Sequence, residues 1–169
     1  MACLGLDTLA RGRPYPRAAG KKALGSSGRA KEDAENRMYV DFTGLWEANL
    51  PKCRFLGPPP KALLVKIEQS YPELLEEMVV TKHGGSKDRV VFKCWLNGEQ
   101  DRNSLNGSPV RGNATWDGEE LIIESRLQLG PRQMYFRDCW SLSSDGKTLT
   151  MEHRNDDLAG QLTILDRVG

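Results

Sequence analysis

The chain has no apolar run long enough to cross a membrane, and no apolar core of about seven residues behind its start, so neither a spanning helix nor a signal peptide is expected. It lacks a CxxC pair. Its four cysteines (Cys3, Cys53, Cys94, Cys139) are too widely spaced for a zinc site; their even number permits disulfides, but they read better as reduced thiols of a cytoplasmic protein. A glycine-rich phosphate loop, a dinucleotide fingerprint and a cluster of metal-ligand residues are all missing, so no cofactor and no metal are expected. Nor does any stretch have the period and length of a substantial helix.

A net charge of one sign is lacking too, but the balance hides a partition. Lys and Arg number 24 against 23 Asp and Glu, a formal charge of +1. Before Glu32 there are seven basic residues and one acid, Asp7, which is +6 and leaves about −5 for the rest. Residues 1–37 are rich in Gly, Ala, Arg and Lys and hold almost no bulky apolar side chains. They cannot bury enough surface to offset the entropy of ordering, so a disordered basic tail, or an upstream extension of the reading frame before Met38, is expected. No aromatic interleaving or amphipathic stripe accompanies the charge, so nucleic acid is not an expected partner. Asn113-Ala114-Thr115 has the form of a glycosylation site, which carries no weight without a secretory signal.

What is present fills residues 38–169. Alternating segments near 42–50, 61–70, 74–83, 88–96, 109–116, 119–129, 132–142, 147–155 and 160–168 read as strands, with a weaker one near 99–105. Turn residues stand between them: His83-Gly84-Gly85, Asn97-Gly98, Asn106-Gly107, Asp117-Gly118, Gly130-Pro131, Asp145-Gly146 and Asp156-Asp157. Residues 74–80 contain helix-forming Leu and Glu, but their flanks favour a strand. One helical turn fits around 52–55, ahead of Pro58-Pro59-Pro60. The fold class expected is all-β: an antiparallel up-and-down meander closed into a small barrel of about 8–10 strands, since closure removes the edges a string of hairpins would expose.

Two turns suggest registers. A two-residue turn at Asp117-Gly118 would place Ala114 opposite Leu121, Gly112 opposite Ile123, and Arg111 opposite Glu124 as an ion pair. A two-residue turn at Asp145-Gly146 would place Leu142 opposite Leu149, Trp140 opposite Met151, and Asp138 opposite His153, whereas a four-residue loop would keep the faces and slide the pairing by two, placing Asp138 opposite Met151. On the outer side Arg137 would meet Arg154. An acid and an imidazole are thereby expected to meet on the interior face, among large apolar groups.

Phe42-Thr43-Gly44-Leu45-Trp46 followed by such a meander resembles the calycin superfamily, which includes lipocalins and fatty-acid-binding proteins. Members open with Gly-x-Trp, and the resemblance implies that Trp46 closes one end of the barrel. The stretches 115–121 and 140–150 look like uncharacterised bacterial lipocalin-like domains. The likeness covers residues 38–169. Three family features are absent: residues 162–168 lack the Arg-x-Tyr that grips a carboxylate in fatty-acid-binding proteins, no two-helix lid follows the first strand, and there is no Thr-Asp-Tyr turn.

The resulting expectation is a monomeric or homodimeric cytoplasmic barrel that binds a hydrophobic or amphipathic small molecule. Leu121, Ile123, Leu127, Phe136, Trp140 and Met151 would supply apolar walls, and Ser125, Asp138 and His153 the polar contacts. The alternatives are a small barrel enzyme (isomerase, cyclase or hydrolase) using Asp138 and His153 as acid and base, and a packed barrel serving as an interaction module. Trp46, Trp95, Trp116 and Trp140 are pocket walls or ordinary core, Cys94 and Cys139 small apolar fillers, and His83 an exposed turn residue.

Overall fold

Ten strands form one antiparallel meander in the computed structural model, which describes residues 39–155 and 158–169. The tail 1–37 and the Asp156-Asp157 turn lie outside the described residues. The strands are β1 (Gly44–Ala48), β2 (Ala62–Ser70), β3 (Glu73–Thr81), β4 (Lys87–Trp95), β5 (Asp101–Leu105), β6 (Ser108–Asp117), β7 (Glu120–Leu129), β8 (Arg132–Leu142), β9 (Thr148–Asn155) and β10 (Leu158–Arg167). Residues 74–80 are strand, as their flanks indicated. Among the described residues there is no α-helix. The single turn expected at 52–55 is a 3₁₀ turn at Leu50–Lys52 instead, where Pro51 sits in the first turn and costs no backbone bond.

Each strand alternates because one face is dry. On β3, Leu74, Glu76, Met78 and Val80 are buried and the residues between them are partly exposed. Strand β1 pairs with both β2 and β10, so the sheet rolls almost shut. Closure stops between β4 and β5, which share no backbone ladder. There the Asn103 carboxamide takes the place of a peptide group: its Oδ1 accepts from Lys93 N at 2.9 Å and its Nδ2 donates to Lys93 O at 2.7 Å.

The β8–β9 register is the expected one, with Asp138 opposite His153, Trp140 opposite Met151 and Arg137 opposite Arg154. The β6–β7 register is not. Asp117 pairs with Glu120, so the loop is Gly118-Glu119, and every partner moves by two. Gly118 supplies the positive φ (+63°) at the first loop position, as a II′ turn requires, and Asp117 stays in the strand. Faces survive a two-residue slide; partners do not. Ala114 therefore faces Ile123, Gly112 faces Ser125, and Arg111 faces Arg126 rather than forming the expected ion pair with Glu124.

Candidate functional site

One end of the barrel is sealed by aromatic packing. Trp46 is wholly buried and donates its Nε1 hydrogen to Phe42 O at 3.0 Å. Phe42 stacks on Trp116 and meets Trp140 edge-on, with centroids 6.0 and 5.8 Å apart. The Arg167 guanidinium covers the Trp46 ring at 4.2 Å and donates to Thr43 O and Gly146 O. A Cβ on Gly44 would stand 2.7 Å from Arg167 Nη1, so the glycine leaves room for this cap. Trp95 stands apart, on the outer side beneath Lys93.

The interior beside this seal is where the polar groups gather. Asp138 from β8 and His153 from β9 are both buried, and Oδ1 and Nδ1 lie 2.7 Å apart. A carboxylate can only accept, so Nδ1 carries the proton and Nε2 is the ring's other working atom. Phe136 stacks on the imidazole at 5.3 Å. This pair, Trp140 and Met151 line one small cavity together with Glu76 from β3 and with Gln161 and Thr163 from β10. The cavity volume is about 20 Å³. That is enough for one small group and far below the ~300 Å³ at which ligand pockets begin.

Glu76 was not foreseen as a site residue, yet it is the most unusual side chain here. It is 3% exposed and its Oε1 has no hydrogen-bond partner among the described residues. Burial pushes its carboxyl above the ordinary carboxylate range, and the nearby Asp138 pushes the same way. Asp101 on β5 is a second buried acid, raised to about 6 by burial, with the Trp95 backbone and Lys93 pulling partly against it. Neither Asp101 carboxylate oxygen has a hydrogen-bond partner among the described residues. Ser125 is buried with its Oγ unpartnered, in the row Asp101, Gly112, Ser125, Phe136. None of the buried side chains described is Lys or Arg.

The other expected wall residues, Leu121, Ile123, Leu127 and Phe136, are all buried core, but the cavity does not touch them. Ser125 forms no hydrogen bond with His153, so the pair has no nucleophile in hand. Cys94 is buried as expected. Cys139 is not a core filler: it lies on the outer side, half-buried, 3.4 Å from Glu120 Oε2, and burial raises its thiol to about 11. His83 is exposed, with Nε2 3.1 Å from Pro59 O. A larger hollow of about 590 Å³, open to solvent, is lined by Arg111, Glu124, Arg126, Arg137 and Arg154 and also by Ser125 and Phe136 of the expected site. No group of residues able to hold a metal ion occurs among the described residues.

Comparison with known proteins bears on the fold. No family model matches the sequence, and no curated protein matches it. Among solved structures, the chain is similar to a secretory abundant heat soluble protein from Ramazzottius varieornatus at 17% identity, covering 75% of this chain and 95% of that one (TM-score 0.54). It is also similar to fatty-acid-binding protein 1 of Echinococcus granulosus (13% identity, 76% and 98% covered, TM-score 0.51). A third is lipid binding protein 8 of Caenorhabditis elegans (9% identity, 78% and 100% covered, TM-score 0.53). The chain therefore shares the antiparallel β-barrel fold of these structures, and at these identities the likeness speaks for the fold alone. No helix among the described residues is long and apolar enough to cross a membrane.

Proposed function

We propose that the protein binds an amphipathic small molecule inside the barrel, with the molecule's polar end against Asp138, His153 and Glu76. The observation that carries this reading is the unpartnered polar interior. A barrel kept only for packing has no use for a buried carboxyl whose oxygen bonds to nothing, since each such atom costs about 1–3 kcal/mol. The enclosed space of about 20 Å³ means that an apolar tail must displace core side chains. The β4–β5 break supports such an opening, because parting those strands breaks the two Asn103 bonds and no backbone ladder. A cytoplasmic location is part of the proposal, supported by three described cysteines that are all free. Native mass spectrometry of protein from its own source tests it. A retained small molecule is the expected result, and a bare polypeptide that takes up no decyl-chain amphiphile would favour the packed-module reading instead.

A second reading uses the same pair as acid and base of a barrel enzyme, and the 2.7 Å Asp138–His153 contact favours it. His153→Gln would then abolish turnover while leaving ligand uptake intact; loss of both together would return the pair to binding.

A further inference from the structure

We infer that the interior selects an amphiphile with a protonated amine at its polar end, with Glu76 as the counter-ion. The inference rests on the interior-binding reading and adds the sign of the ligand's charge. Three carboxyls are buried inside the barrel, those of Glu76, Asp101 and Asp138, and no buried Lys or Arg among the described residues answers them. Asp138 is already taken by His153 at 2.7 Å. Glu76 is not taken, and it opens onto the same cavity with a free Oε1. A carboxylate ligand would meet like charge with no buried Lys or Arg among the described residues to receive it, in surroundings where charge is poorly screened. An ammonium group would find an acceptor at Glu76 Oε1. His153 Nε2 and the Gln161 carboxamide oxygen line the same space for its remaining protons, and Gln161 Nε2 donates to the Thr163 hydroxyl at 3.4 Å. The two β10 side chains that line the cavity, Gln161 and Thr163, carry no charge.

Among the described residues, the titratable groups facing Glu76 are Asp138 on β8 and His153 on β9, with Cys94 on β4 close enough for Glu76 to raise its thiol. The remaining neighbours, Leu63 and Val65 on β2, Met78 on β3, Trp140 and Met151, do not titrate. Burial favours the protonated Glu76 carboxyl in the free protein, and an arriving ammonium favours the ionised one. Binding thus releases a proton, and amine affinity rises with pH until the amine itself loses its charge.

The test compares decylamine, decanoic acid and decanol, equal in chain length, by calorimetry on the full chain in buffers of differing ionisation enthalpy. The amine is expected to bind best, with proton release. Glu76→Gln, nearly the same shape, is expected to weaken the amine by about thirtyfold or more, and to weaken it far more than it weakens decanol. Decanoic acid binding tighter than decylamine overturns the inference and leaves the interior-binding reading standing. Equal decylamine affinity in Glu76→Gln overturns it as well, because the amine then sits elsewhere. If none of the three binds, the binding reading itself fails and this inference falls with it.

Discussion

Glu76→Met removes the unpartnered carboxyl and fills its space with a flexible apolar chain of similar length. The carboxyl is 3% exposed with Oε1 unbonded, so the wild-type protein bears the desolvation of an orphaned acceptor, about 1–3 kcal/mol. Its raised pKa fixes the pH dependence. In the interval between the unfolded pKa and the raised folded one, the native state binds more protons than the unfolded state. Stability therefore falls as pH rises through that interval, and the substitution abolishes this slope. The variant is expected to unfold roughly 3–9 °C above wild type, taking about 3 °C per kcal/mol for a domain of this size. The gain should be larger at pH 8 than at pH 5. Thermal unfolding followed by circular dichroism at both pH values measures it. A melting temperature that drops at both, or a gain independent of pH, would refute the claim that Glu76 is a buried, uncompensated acid. A more stable but ligand-blind variant is what a functional residue kept at the expense of stability predicts.

Three other predictions follow from single contacts. Asn103→Ala removes both bonds across the β4–β5 break, so amide exchange along the β4 and β5 edges should speed up while the β7 and β8 amides stay protected, and a uniform change would contradict the break as the weak seam. Trp46→Ala should cost about 3–5 kcal/mol in denaturant unfolding, since it empties a fully buried indole site and strands Arg167; a loss under 1 kcal/mol would refute its role as the end seal. Arg111→Glu turns a run of like charges, Arg102, Arg111 and Arg126 in register, into alternating ones and should stabilise by about 0.2–1 kcal/mol at low salt, with the gain shrinking as salt is raised.

Much of the fold was legible because turn chemistry and period-two alternation act locally. Ten strands stand close to where Gly, Asn and Asp punctuate the chain, and the Asp138–His153 pairing followed from parity and one turn. The β6–β7 partners were misplaced because Asp117-Gly118 suits two turn types: as I′ both residues take positive φ, as II′ Gly118 alone leads the loop, and the sequence favours the first. Cys139 was assigned inward against its parity, although its neighbours Asp138 and Trp140 already claimed the interior. Glu76 had a usable signal. It alternates with Leu74, Met78 and Val80, which places it inside, but a glutamate among helix formers draws attention to the segment's propensity rather than to its own direction. Gln161 and Thr163, alternating with Leu165, carried the same signal. Nothing local announces the β4–β5 break or the amount of empty interior, because both depend on how far the sheet rolls before its edges meet.

The central claim is that a small molecule occupies the interior, and methionine methyl resonances report it from inside. Met78 and Met151 line the cavity, whereas Met134 does not. Titrating methyl-labelled protein with decylamine should shift Met78 and Met151 with a shared saturation curve and leave Met134 nearly still. Shifts confined to Met134, or no methyl shift at saturating amine, would contradict the account.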